Sequence, residues 1–265
     1  MADLVVKNVV VFGASGLVGR HVLSALSTVP NDLNVTVVTR ASSGSKSSHN
    51  FPPTVKVLQI DYTPNSIRKA LHNQDAAVSV FDLLITPGTG DLERTIIDLA
   101  VEEGVKLFIP SVFDVDPTEG NPGLEKLESL GIWQHKIANA LYLKKLGEEG
   151  KITWTSIVCN FFLDMKPHGP VHTLSGLGYF GFDMDARKVL LYDGGAHPIG
   201  SVTVKRAGEA IIKVLLQPSL FANKAVYLST LTVSQLNVLA ELERVTGATF
   251  QKETVSSKEL IAKKG

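Results

Sequence analysis

The first two-thirds of the chain alternates short β-branched runs with segments whose apolar residues recur at helical spacing. Asn8–Phe12 (NVVVF) is apolar at nearly every position, the pattern of a strand buried on both faces. Helical spacing follows from Leu17 to Leu26 and stops near Pro30. Asn34–Thr39, Val55–Ile60, Asp75–Phe81, Lys106–Pro110 and Ile152–Val158 read as further buried strands. Between them, Thr63-Pro64 predicts a helix start, with Thr as cap and Pro in the first turn. Leu92–Glu103 predicts a helix stopped by Gly104, and Leu124–Glu149 one broken around Gly131, while the polar run Ala41–Pro53 reads as a surface loop.

Strands separated by single helices cannot pair as hairpins. The alternation therefore predicts right-handed crossovers and a Rossmann-type doubly wound parallel sheet, an α/β fold. From Asn160 the rhythm stops. A Gly-rich, aromatic, His-containing segment runs to about Phe182, then come short strands and turns (VLLYDGG), a helix at about Val204–Gln217, a strand Ala225–Leu228 and a helix opening near Ser234. The expected division is a nucleotide-binding domain over residues 1–159 and a smaller substrate-side lobe over 160–265, without a clear linker and partly interleaved with the first.

Composition narrows the partners. The 265 residues carry 26 Lys plus Arg against 26 Asp plus Glu, so no net charge favours nucleic acid or an anionic membrane. Cys159 is the one cysteine; it cannot form an internal disulfide and reads as a small hydrophobe in an apolar strand. The N-terminus enters strand-like sequence without a signal-peptide pattern, and no apolar run approaches membrane-span length. A cytoplasmic protein is expected. No Cys/His/carboxylate cluster has zinc-ligand spacing, and no metal is expected.

The first strand leads into Gly13-Ala14-Ser15-Gly16-Leu17-Val18-Gly19, a G-x-x-G-x-x-G loop that opens a helix. Gly13 suits the tight turn, Gly16 lets backbone approach a pyrophosphate, and Gly19 lets helix pack on strand. The helix N-terminus adds free N–H groups for the phosphates. A site for NAD usually ends the second strand with an acid for the ribose hydroxyls. Here that strand ends Thr39-Arg40, with Lys46 six residues on in a neutral Ser/Gly loop, so NADPH/NADP+ is expected, with both cations toward a 2′-phosphate. Phe81, which ends the fourth strand, and Ser111, just after the fifth, are further cofactor-side candidates. Asp61 is either an adenine-side group or a cap for the following helix.

A tyrosine with a lysine four residues on is a known acid–base pair for hydride chemistry. Tyr62, Tyr142, Tyr179, Tyr192 and Tyr227 are followed at that spacing by Ser66, Leu146, Asp183, Ala196 and Leu231, so the pair is absent.

GASGLVGR, VTR with its downstream lysine, EEGVKLFIPSVFDVD, the helical WQHKIANALYLKK, ITWTSIVCNFFLD and the tail GFDMDARKVLLYDGGAHPIGSVTV together resemble the NmrA-like proteins. They look most like the isoflavone-reductase-like branch, its fungal members in particular. The resemblance implies an extended Rossmann fold, NADPH as reductant and a lysine after the fifth strand as the catalytic residue, here Lys136. It also implies that Asn160 and Phe162 line the nicotinamide or substrate pocket. Asn160 is counted with the cofactor-side candidates, and Phe113, Phe161, Phe162 and Tyr179 are the substrate-side candidates; core packing claims at least two of the aromatics in the stretch that runs on through Phe180 and Phe182. His135 leaves the Lys136 helix about 100° away and cannot face the same pocket equally, and His168 and His172 are loop residues of the kind that more often face solvent.

The chain departs from the family where the usual P-S-E-F-G reads Pro110-Ser111-Val112-Phe113-Asp114, so whatever that acid orders must be done otherwise. Lys166–Leu177 looks long for the family, and an end at Gly265 is expected to leave the pocket more open. The leading function is NADPH-dependent reduction of a small aromatic or polyketide-like secondary metabolite. A non-catalytic NADP(H) sensor of the NmrA type, and a non-redox isomerase or cyclase, are the alternatives. The expected partner is a small-molecule substrate, with no nucleic acid or membrane; a homodimer stays open.

Overall fold

The computed structural model describes residues 3–28, 33–41, 51–82, 88–113, 116, 133–164 and 180–262. They form two compact units, one of residues 1–158 with 205–227 and the other of 159–204 with 228–265.

The first unit is built on parallel strands β1 (Asn8–Phe12), β2 (Asn34–Arg40), β3 (Lys56–Ile60), β4 (Ala76–Ser79), β5 (Leu107–Ile109), β6 (Thr153–Val158) and β11 (Lys224–Tyr227). They form a seven-stranded sheet in the order β3-β2-β1-β4-β5-β6-β11, every pairing parallel. That is the doubly wound order whose direction reverses between β1 and β4. Helices α1 (Leu17–Leu26), α2 (Pro64–Leu71), α3 (Thr89–Glu102), α4 (Gln134–Glu148), α5 (Val204–Leu216) and α6 (Pro218–Phe221) lie between the strands in the chain.

Val9, Val10, Val11 and Phe12 have no exposed surface, which is why β1 carries no polar position after Asn8. Val10 and Phe12 join Ile67, Leu71, Ile96, Ile97, Phe108, Leu143 and Trp154 in one core under α2, α3 and α4. Each such side chain contributes about 1.5–3 kcal/mol relative to exposure. The expected cap is present: the Thr63 hydroxyl accepts the Ser66 N–H, with Pro64 in the first turn. β4 lies within the expected Asp75–Phe81, and Asp75 is a clasp just ahead of it. Its carboxylate accepts the N–H groups of Lys7 and Asn8 and pairs with Lys106 at 2.8 Å. Burial alone would raise the Asp75 pKa; Lys106 and the two backbone donors outweigh it and hold it below the usual value.

The second unit holds two three-stranded sheets. β7 (Phe161–Phe162), β10 (Ile199–Val202) and β12 (Leu231–Val233) form one, with β10 central. β8 (Phe182–Asp183), β9 (Lys188–Tyr192) and β13 (Gln251–Val255) form the other, with β9 central. Phe180, Phe182, Val189, Leu191, Leu239 and Phe250 pack as its core. Helix α7 (Gln235–Thr246) opens on a capping box in which Ser234 and Asn237 satisfy each other's backbone N–H, and α8 (Ser257–Ala262) follows β13.

Candidate active site

Because the seven strands are parallel, the residues just after β1, β3, β4 and β5 and the last residue of β2 share one edge of the sheet. The glycine loop sits there at the reversal point. Gly13 has φ +82°, and a Cβ on it would lie 2.8 Å from the Val80 carbonyl oxygen, so the turns after β1 and β4 approach as closely as backbone allows. The Gly16 N–H donates to the Gly13 carbonyl at 2.9 Å, closing the turn. Gly16 is also the N-cap of α1 and makes no side-chain cap bond, so the first-turn N–H groups keep their capacity for an anion.

Beside the loop, Arg40 ends β2 and its guanidinium carbon lies 5.2 Å from the centre of the Tyr62 ring. Tyr62 packs in turn against Phe12 and Phe81, with ring centres 6.5 and 6.3 Å apart. Burial pushes the Tyr62 phenol up, with the Arg40 charge opposing it. Thr39, 8% exposed, has a buried hydroxyl with no hydrogen-bond partner, an orphaned polar atom next to Arg40. The glycine turn, the uncapped helix end, the exposed guanidinium and this orphaned hydroxyl fit a phosphorylated dinucleotide. Asp61 serves the helix instead: its carboxylate accepts the Thr63 N–H at 3.0 Å and hydroxyl at 2.8 Å. Hydrogen bonds from Ser66 and Thr63 lower its pKa to about 2.

After β4 and β5 the site continues into a buried polar network. The Ser111 hydroxyl lies 2.8 Å from that of Ser79 and accepts the Phe81 N–H at 2.9 Å. The Ser111 N–H donates to the Glu93 carboxylate of α3 at 2.8 Å, and Asn139 of α4 donates to the other carboxylate oxygen at 3.0 Å. The Asn139 amide also reaches the Gly90 carbonyl, at 3.1 Å. Lys136, on α4, is 9% exposed and donates from Nζ to the Val112 carbonyl at 3.1 Å. The adjacent His135 points elsewhere, half-exposed over Gly90, with Nδ1 3.8 Å from Asp91. Glu93, 1% exposed, and Asn139 were not singled out by the sequence, although a signal existed. Glu93 stands on the stripe Ile96, Ile97, Ala100, and Asn139 on the stripe Lys136, Ala140, Leu143, so both are polar residues at core-facing positions. Tyr62 carried no such mark.

Phe113 is buried at φ +48° and bridges Val158, directly after the Ser111–Val112 turn. In the second unit Asn160 is exposed with φ +55°, and Phe162 is buried on β7. Lys46, Tyr179, His168, His172, Asp114, the side chain of Phe161 and the whole Lys166–Leu177 stretch lie outside the described residues. Among those described, no helix is long and apolar enough to cross a membrane.

The sheet order, the glycine loop at the reversal point and the flanking helices define a Rossmann-type α/β protein. Residues 6–263 match the NmrA-like family, and the chain belongs to it. One relative is oxidoreductase aprR of Aspergillus flavus, 30% identical over 254 residues, covering 95% of this chain and 78% of that protein. Among solved structures, AtPrR2 with NADP+ and (+)pinoresinol matches with a TM-score of 0.70 at 21% identity, over 97% of this chain and 81% of that one. An isoflavone reductase crystal structure matches with a TM-score of 0.69 at 20% identity, over 97% and 81%. At these identities the structural likeness speaks to the fold.

Proposed function

We propose that this protein is an NADPH-dependent reductase of a small aromatic or polyketide-like secondary metabolite. One observation carries the reading. The buried ammonium of Lys136 is held at the Val112 carbonyl, on the edge of the sheet that also bears the glycine loop and Arg40. An ionisable group buried at the sheet edge where open α/β folds place their ligands is a functional-site candidate as well as a tie for the turn it bonds. The relative from Aspergillus flavus is named an oxidoreductase, and the AtPrR2 structure is described as holding NADP+ and (+)pinoresinol. In this reading Gly13–Gly19 hold the pyrophosphate, Arg40 and Lys46 meet the 2′-phosphate, and Phe81, Ser111 and Asn160 line the nicotinamide side. Phe113, Phe161, Phe162 and Tyr179 are the candidates for contact with the substrate.

The nicotinamide, when bound, supplies hydride to an activated C=C or C=O. Lys136 does the remaining work, protonating the reduced centre or steadying the oxyanion that forms. The test follows NADPH absorbance against a panel of aromatic enones and ketones, with Lys136→Ala beside the parent. Loss of a positioned proton donor costs on the order of 100- to 10,000-fold in rate, with NADPH affinity and melting temperature near those of the parent. Turnover by Lys136→Ala within a few-fold of the parent removes the lysine from the chemistry. A protein that binds NADPH and consumes none across the panel is a sensor or an isomerase instead.

A further inference from the structure

Tyr62 stands where backbone strain and side-chain placement coincide. Its φ of +59° puts a bulky aromatic residue in the left-handed region, an outlier that persists only where its surroundings over-determine it. Three of those surroundings are visible. The β2–β3 register pairs Arg40 with Ile60, so Tyr62 follows two residues after the strand position level with Arg40. Phe12, fully buried at the end of β1, and Phe81, two residues past the end of β4, brace the ring from either side of the reversal point. The ring carries the Arg40 guanidinium at 5.2 Å from its centre, within cation–π range.

An exposed arginine at a strand end is otherwise free to sample many rotamers, and ordering it on a ligand costs affinity. A ring face beneath the guanidinium removes part of that cost beforehand. We infer that Tyr62 is a positioning residue for cofactor choice: its ring holds the Arg40 guanidinium ready for the 2′-phosphate and so sets the preference for NADPH over NADH. The inference rests on the NADPH reading above and adds a residue that acts through Arg40. It requires the aromatic face and not the hydroxyl, so phenylalanine replaces tyrosine and an aliphatic residue does not.

The experiment titrates NADPH and NADH separately into the parent protein, Tyr62→Phe, Tyr62→Leu, Arg40→Ala and the Arg40→Ala/Tyr62→Leu double variant. Calorimetry gives each dissociation constant, and a thermal melt accompanies each protein. The expected result is a threefold to about thirtyfold loss of NADPH affinity in Tyr62→Leu, the range a cation–π contact supports, with NADH affinity unchanged. Tyr62→Phe stays within about twofold of the parent for both. In the Arg40→Ala background, Tyr62→Leu has no further effect on the NADPH-to-NADH ratio, because the group it acts through is gone. A general packing role lowers both affinities and the melting temperature together, and so overturns the inference; an unchanged ratio in Tyr62→Leu, or equal losses in the Phe and Leu variants, does the same. If the parent prefers NADPH and Arg40→Ala abolishes that preference while Tyr62→Leu does not, only the role of Tyr62 falls. If the parent shows no preference, the cofactor reading falls with it. Tyr62→Met, unbranched and able to fill the same gap, carries the same expectations should the Leu variant not fold.

Discussion

Gly19→Ala opposes two effects of known size, and the structure decides between them. Gly19 is the third residue of α1, a position where alanine ordinarily stabilises by about 0.8–1.0 kcal/mol over glycine. Propensity alone therefore expects a more stable protein. The geometry expects the reverse. A Cβ on Gly19 would lie 2.6 Å from Ala14 Cα, from the Ala14 carbonyl oxygen and from the Gly13 carbonyl oxygen, where ordinary contact begins near 3.4 Å. All three obstacles are backbone atoms of the turn that leads from β1, so no rotamer change relieves the clash. Helix α1 must move outward by most of an ångström or the turn must open.

Overpacking of that kind costs about 1–3 kcal/mol, and the backbone nature of the obstacle places this case toward the upper part of the range. Subtracting the propensity gain leaves a net loss of about 1–2 kcal/mol, or a fall in melting temperature of about 2–8 °C for a domain of this size. Urea denaturation of parent and variant, with the slope checked for constancy, measures it directly. Because the helix N-terminus moves with the clash, NADPH affinity should fall in the same variant. A Gly19→Ala protein that is as stable as the parent, or more so, refutes the close approach of α1 to the strand.

Two other outcomes follow from the network and the helix start. Glu93→Ala leaves the Ser111 N–H without its acceptor and Asn139 with only the Gly90 carbonyl; a loss of about 2–4 kcal/mol is expected from the unsatisfied donors, and urea midpoints within experimental error of the parent would count against the network. The Asp61 carboxyl, lowered to about 2 by Ser66 and Thr63, stabilises the folded state above the usual carboxylate pKa, and that contribution is lost as pH falls toward 2; an NMR titration of Asp61 with a midpoint near 4 would dismiss the Thr63 and Ser66 contacts.

The parts of the fold that could be read from the sequence are those whose physics is local. β1, β2, β4 and β6 are short runs rich in β-branched and small residues that are buried along most of their length, and α2 announces itself through Thr63-Pro64. The second unit offers little of this. β7 and β8 are two residues long, β10 contains Gly200, and β13 (QKETV) is exposed over most of its length, so none has an alternation to find. β13 is a strand because it pairs with β9, Gln251 opposite Lys188, and no local pattern reports a partner so distant in the chain. Glycine spacing marked the candidate cofactor loop, and a missing acid marked the end of β2. Tyr62 entered the sequence reading only through its lack of a lysine four residues on, and its place beside Arg40 depends on the β2–β3 register, which no local pattern reports.

Val112 shows how a departure in the sequence is absorbed by the structure. An acid at that place could order the turn with its own side chain; valine cannot, and here it is buried. The turn is held through its backbone instead, from two directions. Glu93 of α3 takes the Ser111 N–H, and Lys136 of α4 gives a hydrogen bond to the Val112 carbonyl. Asn139 then joins the two helices by spanning Glu93 and the Gly90 carbonyl. The carboxylate and the ammonium thus hold the same two-residue stretch by opposite backbone groups, each with a neutral partner of correct polarity. Buried charges so arranged resist displacement, because moving either one leaves an unpaired backbone group in a region closed to water. The lysine is therefore set by the turn beside Ser111 and not by the length of its own flexible side chain, which is the condition for an ammonium to act at a defined atom.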